Sequence, residues 1–331
     1  MESKQSDFSY SGMLVFDQIY KTNVKGLDNI RGIEEYFPKF DQGNANVPGS
    51  GFNTNYLSDY EVHHQMSFND FTFDRTIVDY FDEKSENIAN IEYKFENFKD
   101  DVEAVVDDER RTVSVVKSDK FDFYWKYPNY FVRQGGRNID KNIGRLFTND
   151  FLESVDLEQI KFNSDFLLWL LYRSKNDNNL KENLLIKSIS DVSLTGPDES
   201  RYGRMRYSGS NNPFNSPEVM KRILSGGKIR TLGISFILDS RYEIKADISD
   251  VGRIHVKPNT SDLSNKNDAE RMILSLRLIE LICDTYEVWT NSNEKIPDDF
   301  SNRIYDYIRD SGVEFSQGLS NIDNKYTDDG K

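Results

Sequence analysis

Three segments separated by only three residues each dictate most of what the C-terminal half of this chain can become: Ile229–Leu238, Tyr242–Ser249 and Arg253–Lys257. A parallel crossover needs about a dozen residues, so neighbouring segments joined this tightly must run antiparallel. Their side chains alternate as strands require. Tyr242, Ile244, Ala246 and Ile248 oppose Glu243, Lys245 and Asp247, and Ile254 and Val256 oppose Arg253, His255 and Lys257. Upstream, Leu184–Leu194 and Arg204–Ser208 read as strands. Ser216-Pro217-Glu218 opens a helix with a hydroxyl cap, a proline at its first position and an acid in its first turn, and Gly226-Gly227 closes it. A long amphipathic helix covers Asp268–Asn291. The order β-β-α-β-β-β-α predicts an α+β fold, with an antiparallel sheet and helices packed on one of its faces.

The N-terminal part, residues 1–150, reads as a β-rich domain. Strands are expected at Met13–Tyr20, Asn90–Phe95, Arg111–Lys117, Asp122–Tyr127 and Tyr130–Gln134, and a helix at Ile30–Phe37. Asp41–Asn55 is rich in Gly and Asn and reads as a loop, as does the stretch that begins at Gly135. The acidic cluster Asp100–Glu109 reads as a solvated face or loop. Asn149–Ile160 and Ser164–Ser174 look helical, the second capped by Ser164 with Phe166, Leu167, Leu170 and Leu171 on its core side. Residues 151–293 form the α+β domain. Residues 294–331 hold a last helix near Asp299–Asp310 and a polar tail.

Charge is the feature that points toward function. The chain carries 42 basic and 56 acidic residues, a net charge of −14. Yet Arg201–Arg230 holds seven basic residues (Arg201, Arg204, Arg206, Lys221, Arg222, Lys228 and Arg230) against Glu218 alone. A local reversal of sign in an acidic protein suits an anionic partner, either nucleic acid or an acidic protein surface. Alternation places Arg204 and Arg206 on one face, and an open sheet face would add Lys245, Arg253, His255 and Lys257, diluted by Glu243 and Asp247. Ser210, in the Gly209–Asn212 loop, and the helix start at Ser216 would supply further donors for a phosphate, with Lys221 and Lys228 beside them. A plainer account uses the same residues. Antiparallel sheets show a polar face to water, and Arg253 and Lys257 then pair with Glu243 and Asp247.

Two short patterns carry possible phosphodiester chemistry. His255-Val256-Lys257 followed by Asp262 has the spacing H-x-K-x4-D and, with Gly209-Ser210-Asn211-Asn212 as G-S-x-N, resembles the phospholipase D superfamily. That resemblance implies a histidine nucleophile and a lysine phosphate clamp. In the family the G-S-x-N element follows H-x-K, whereas here it precedes it. Glu243-Ile244-Lys245 resembles the (D/E)-x-K half of restriction-type nuclease sites, with Asp239 or Asp191 as the second acid for a metal. The pair His63-His64 splits across a strand and suits surface histidines better than a metal. The glycine pairs before Arg137 and Lys228 fit neither a Walker loop nor a dinucleotide fingerprint. Cys283 is the only cysteine, so a disulfide framework and a cysteine zinc site within one chain are excluded. With no signal-like N-terminus and no apolar run of about 18 residues, the cytoplasm is the expected compartment. The leading reading is a non-enzymatic cytoplasmic binding or regulatory protein with no cofactor. The alternatives are a metal- or histidine-dependent phosphodiesterase and a subunit of a protein assembly or homo-oligomer, away from membranes.

Overall fold

The computed structural model describes residues 8–44, 46–61, 75–106, 108–135, 149–196, 203–209 and 213–292, together with 300, 302 and 309. In chain order the elements are β1 (Val15–Val24), β2 (Ser50–Tyr56), α1 (Arg75–Ser85), β3 (Ile88–Val106), β4 (Glu109–Lys126), β5 (Tyr130–Gln134), α2 (Asn149–Ser154) and β6 (Val155–Ile160). They continue with α3 (Ser164–Asn176), β7 (Asn179–Lys181), β8 (Leu184–Thr195), β9 (Arg204–Ser208), α4 (Pro217–Leu224), β10 (Ile229–Leu238), β11 (Tyr242–Ser249), β12 (Ile254–Val256) and α5 (Asp268–Asn291). The fold is mixed α+β, and the pairings between these strands are antiparallel. Among the described residues, no helix is long and apolar enough to cross a membrane. Two compact units emerge, Met1–Lys161 with Arg253–Glu280, and Phe162–Gly252 with Leu281–Lys331. Position 150, the expected boundary, lies within α2. The helix expected at Asp299–Asp310 falls almost wholly outside the described residues.

In the first unit the strands run β2-β3-β4-β5-β1-β12, and β6 also pairs with β1. Aromatic side chains make its core. Phe123, Trp125 and Phe131 meet Phe37, Phe52 and Phe151, with ring centroids 5.0 Å apart for Phe37–Phe151 and 5.3 Å for Phe123–Phe131. Aromatic contacts at such spacing add about 0.5–1.5 kcal/mol each beyond the area they bury. Four local expectations are corrected here. Ser50–Tyr56 is a strand, not loop, because Phe52 and Tyr56 bury on alternate positions while its asparagines face outward at the sheet edge. Asn149–Ile160 is helix only to Ser154; Val155 and Ile160 then bury as β6. The helix at Ile30–Phe37 is a 3-10 turn, Ile30–Glu35, capped by the Asn29 side chain, which accepts from the Arg31 and Gly32 amides. The acidic stretch Asp100–Glu109 lies on a long hairpin in which β3 pairs with β4 as far as Val106 opposite Glu109.

In the second unit β11, β10 and β8 lie side by side, and both β7 and β9 pair with β8. Helix α3 packs on β8 and β10 and buries Phe166, Leu167, Leu170 and Leu171. Its cap is Asn163 rather than Ser164: the Asn163 carboxamide oxygen accepts from the Phe166 amide at 2.7 Å. Ser164 is turned to the sheet, where its hydroxyl oxygen accepts from the Ile229 amide at 2.9 Å. Helix α4 is capped as the sequence indicated, the Ser216 hydroxyl accepting from the Val219 amide. Gly226, with φ of 84°, turns the chain out of α4 in the left-handed region that glycine reaches without strain.

Candidate functional site

Backbone pairing gathers the basic island at one end of the second unit. Register sets Arg204 opposite Thr195 and Arg206 opposite Ser193. The Thr195 amide donates to the Lys228 carbonyl at 2.9 Å, and Arg222 donates to the Gly203 carbonyl at 2.9 Å. These bonds tie β9, α4 and the start of β10 together, so Arg204, Arg206, Lys221, Arg222 and Lys228 share one corner. All but Arg222 are exposed. Arg206 keeps 71% of its side-chain surface and stands 3.7 Å from Asp191. Among the described strands β9 pairs with β8 alone, which makes it an edge. Ser210 and Arg201 lie outside the described residues.

One expected contributor is already occupied. Ser216 donates to the Glu218 carboxylate at 2.9 Å. Backbone and Ser216 hydrogen bonds hold that carboxyl below the usual glutamate range. The α4 N-terminus thus carries its own anion, which competes with any external phosphate.

Arg253, His255 and Lys257 belong to the first unit, whereas Arg204, Arg206 and Lys245 belong to the second. The alternation read from the sequence holds within each strand. Ile254 and Val256 are buried and His255 is half-buried, while Ile244, Ala246 and Ile248 are buried and Lys245 is exposed. His255 stands opposite Val15, and the Lys257 carbonyl accepts from the Ser261 hydroxyl at 2.7 Å. Of the G-S-x-N element only Gly209 is described, and it lies in the second unit. His63 and His64 fall outside the described residues, and Cys283 is buried.

The polar face of β8, β10 and β11 reveals a pairing that the sequence reading missed. Glu243 stands opposite Ile237, accepts from Lys187 and accepts from Ser235 at 2.6 Å. The Lys187 and Ser235 hydrogen bonds hold it below the usual glutamate range. Asp239 sits in the turn with φ of 48°. The acids that converge are Asp191 and Asp247, which flank Gly233 in one cross-strand row. A Cβ at Gly233 would lie 3.0 Å from a carboxylate oxygen of each and 2.8 Å from the Asp191 Cβ. The Ser190 hydroxyl donates to Asp191 at 2.8 Å, and Ser208 donates to the same carboxylate. A glycine inside a mostly apolar strand was the available signal for such a close approach. Among the described residues, no group of three or more His, Cys, Asp or Glu is placed to hold a metal ion.

Arg253 also lines a cleft of about 690 Å³ in the first unit, with Ser11, Met13, Lys120, Asp122 and Gln134. Register aligns Glu92, Asp122 and Gln134 across β3, β4 and β5. The Lys120 ammonium is 2.5 Å from Glu92 and 3.8 Å from Asp122. Burial pushes the Asp122 carboxyl above the usual aspartate range, against the pull of Lys120. For Glu92 burial acts the same way, but hydrogen bonds from Lys120 and Asn53 outweigh it and the carboxyl stays low. Gln134 is fixed by donating to the Ser11 and Met13 carbonyls and accepting from the Tyr124 hydroxyl.

No protein-family model matches the chain, and no curated protein is significantly similar to it in sequence.

Gly233→Ala is expected to cost about 1–3 kcal/mol, since the new methyl meets the Asp191 Cβ at a distance real contacts do not show; urea unfolding measures it. Asp122→Asn is expected to stabilise the protein at neutral pH. A folded-state carboxyl raised above its unfolded value favours folding fully only below the unfolded pKa, and that contribution is lost as pH rises through the folded value. The gain from the asparagine should therefore shrink to nothing as denaturation is repeated at decreasing pH through the aspartate range.

Proposed function

We propose that the chain is a non-enzymatic binding or regulatory protein whose basic corner, on β9 and α4, docks an anionic macromolecule, either nucleic acid or an acidic segment of a protein partner. One observation carries the reading: Arg204 and Arg206 on an edge strand, Lys221 and Arg222 on the neighbouring helix, and Lys228 just before β10 lie on segments tied together by hydrogen bonds, within a chain of net charge −14. Two arginines at alternate positions of an edge strand offer charge and main-chain pairing to an extended acidic partner. The same five cations neutralise phosphates, and binding to nucleic acid then weakens with salt in proportion to the phosphates engaged. The acidic remainder of the chain opposes a long polyanion at a distance, so binding of either kind is local. Cytoplasmic location belongs to this reading.

A second reading, a metal-dependent phosphodiesterase, rests on Asp191 and Asp247 beside Gly233, with Lys245 two residues along the same face of β11. It moves the acidic pair away from Glu243, which Lys187 engages.

The two readings separate experimentally. Anisotropy titrations with a labelled single-stranded oligonucleotide and with an acidic peptide, each at rising salt, should show saturable, salt-sensitive binding of one of them. The double change Arg204→Glu with Arg206→Glu should weaken it at least about tenfold; unchanged affinity and salt slope would remove the corner from the account. In the second reading, cleavage of an oligonucleotide with magnesium or manganese should be abolished by Asp191→Asn with Asp247→Asn.

A further inference from the structure

Strands β3 and β4 outrun the sheet that holds them. β2 accompanies β3 only from Ala89 to Phe95, and β5 accompanies β4 only from Asp122 to Lys126. Beyond those points, among the described strands, the two pair only with each other, as far as Val106 opposite Glu109. From Glu109 to Lys120 no β4 side chain is buried, whereas Phe121–Trp125 all are. Three valines of this ribbon are well exposed: Val105 at 69%, Val116 at 51% and Val115 at 43%. A two-stranded ribbon is marginal by itself in water, so a β-branched ribbon of this length gains from further strands.

Its two outer edges differ. The β3 edge carries Lys99 and Glu103, and its register slips between Lys99 and Val102. Acidic residues and a bulge are what keep an edge from pairing with another chain. The β4 edge carries charges of both signs, among them Glu109, Arg110, Arg111 and Lys117, but no extra residue. Its register is regular from Val113 to Glu109, it contains no proline, and Glu109–Lys117 reads Glu-Arg-Arg-Thr-Val-Ser-Val-Val-Lys.

That nine-residue segment is complementary to itself. A two-fold axis perpendicular to the ribbon keeps every side chain on its own face, so residues that meet must be separated by an even number. Centred on Val113, such an axis sets Glu109 opposite the partner's Lys117, Arg111 opposite the partner's Val115, and Thr112 opposite the partner's Ser114. Opposite charges meet at both ends, with β-branched residues at the middle. A shift of the centre to Ser114 sets Arg111 against the partner's Lys117 and Glu109 against the partner's Asp119, which are like charges. The charge pattern therefore favours the Val113 centre over the Ser114 centre. The geometry points to a homodimer in which β4 pairs antiparallel with β4 of a second copy, centred on Val113, to give a four-stranded ribbon β3-β4-β4-β3. It goes beyond the basic-corner reading and does not rest on it.

Sedimentation of the full chain over a concentration series should show a monomer–dimer equilibrium. Lys117→Glu should weaken the dimer about tenfold by setting glutamates opposite each other at both ends, and Glu109→Lys added to it should restore association. Val113→Cys should give a disulfide-linked dimer under mild oxidation, while Val115→Cys, opposite the partner's Arg111, should not; Cys283 is buried and does not compete. These positions are exposed or half-exposed on the ribbon, and circular dichroism checks that each variant is folded. A wild-type chain that stays monomeric at its highest soluble concentration overturns the proposal. So does a charge-swapped double variant that associates no better than Lys117→Glu, or equal crosslinking at 113 and 115.

Discussion

The pairing of β3 with β4 is the constraint on which most of the first unit depends. Their pairing, from Ile88 opposite Lys126 to Val106 opposite Glu109 with a one-residue shift between Lys99 and Val102, sorts three environments. On one face of its base, Ala89, Ile91, Phe123 and Trp125 enter the aromatic core. On the other face Glu92, Lys120 and Asp122 form the charged side of the cleft. Beyond the base the pairing continues, shifted by one residue, into a ribbon whose β4 side chains from Glu109 to Lys120 are exposed or half-buried. A slip of one residue would exchange the first two environments and bury the charged row. The bulge between Lys99 and Val102 comes only after the core and cleft have been set.

The second unit uses its sheet differently. β10 is buried or half-buried throughout, and its neighbours decide which positions approach solvent. Where Gly233 interrupts the apolar run, two carboxylates close over the gap. On the edge of β8 away from β10, β9 pairs with Asp191–Thr195 and brings two arginines to an edge. Charge on this unit is arranged in local oppositions, such as Lys187 with Glu243 and Arg230 with Asp250, and the corner at β9 and α4 is where cations accumulate. Surface pairs of this kind contribute little stability individually, so their arrangement bears more on what the unit meets than on how firmly it folds.

Elements defined by tight turns and strict alternation were legible from the residues. β5, β9, β10, β11 and α5 begin and end where the sequence indicated, because hydrophobic periodicity and turn residues agree there. β2 was hidden by its asparagines and glycines, since composition reports a loop while the decisive signal is two aromatics two turns of the pleat apart. β6 was read as helix because a short apolar pattern suits either state until a neighbour pairs with it. Ser164 looked like a cap, but Asn163 lay one residue earlier, and Ile229 supplied a second use for the serine. The candidate site divides in the same way. The basic island was visible as a run of like charges, whereas the gathering of Lys221 and Lys228 beside Arg204 required β8 to pair with β9 and Thr195 to bond Lys228.

By itself, then, the sequence determined the α+β character, the antiparallel pairing of Ile229–Leu238 with Tyr242–Ser249 and the sign reversal between Arg201 and Arg230. These are local properties, written in turn length, side-chain alternation and composition. Only the tertiary structure decided that Asp191 meets Asp247 across a glycine, that Arg253 lines a cleft with Asp122, and that β3 and β4 extend beyond the strands that flank them. Each of these depends on which strands become neighbours and in which register. That choice is made by burying large apolar surfaces far apart in the chain, a sum that no short window of residues contains.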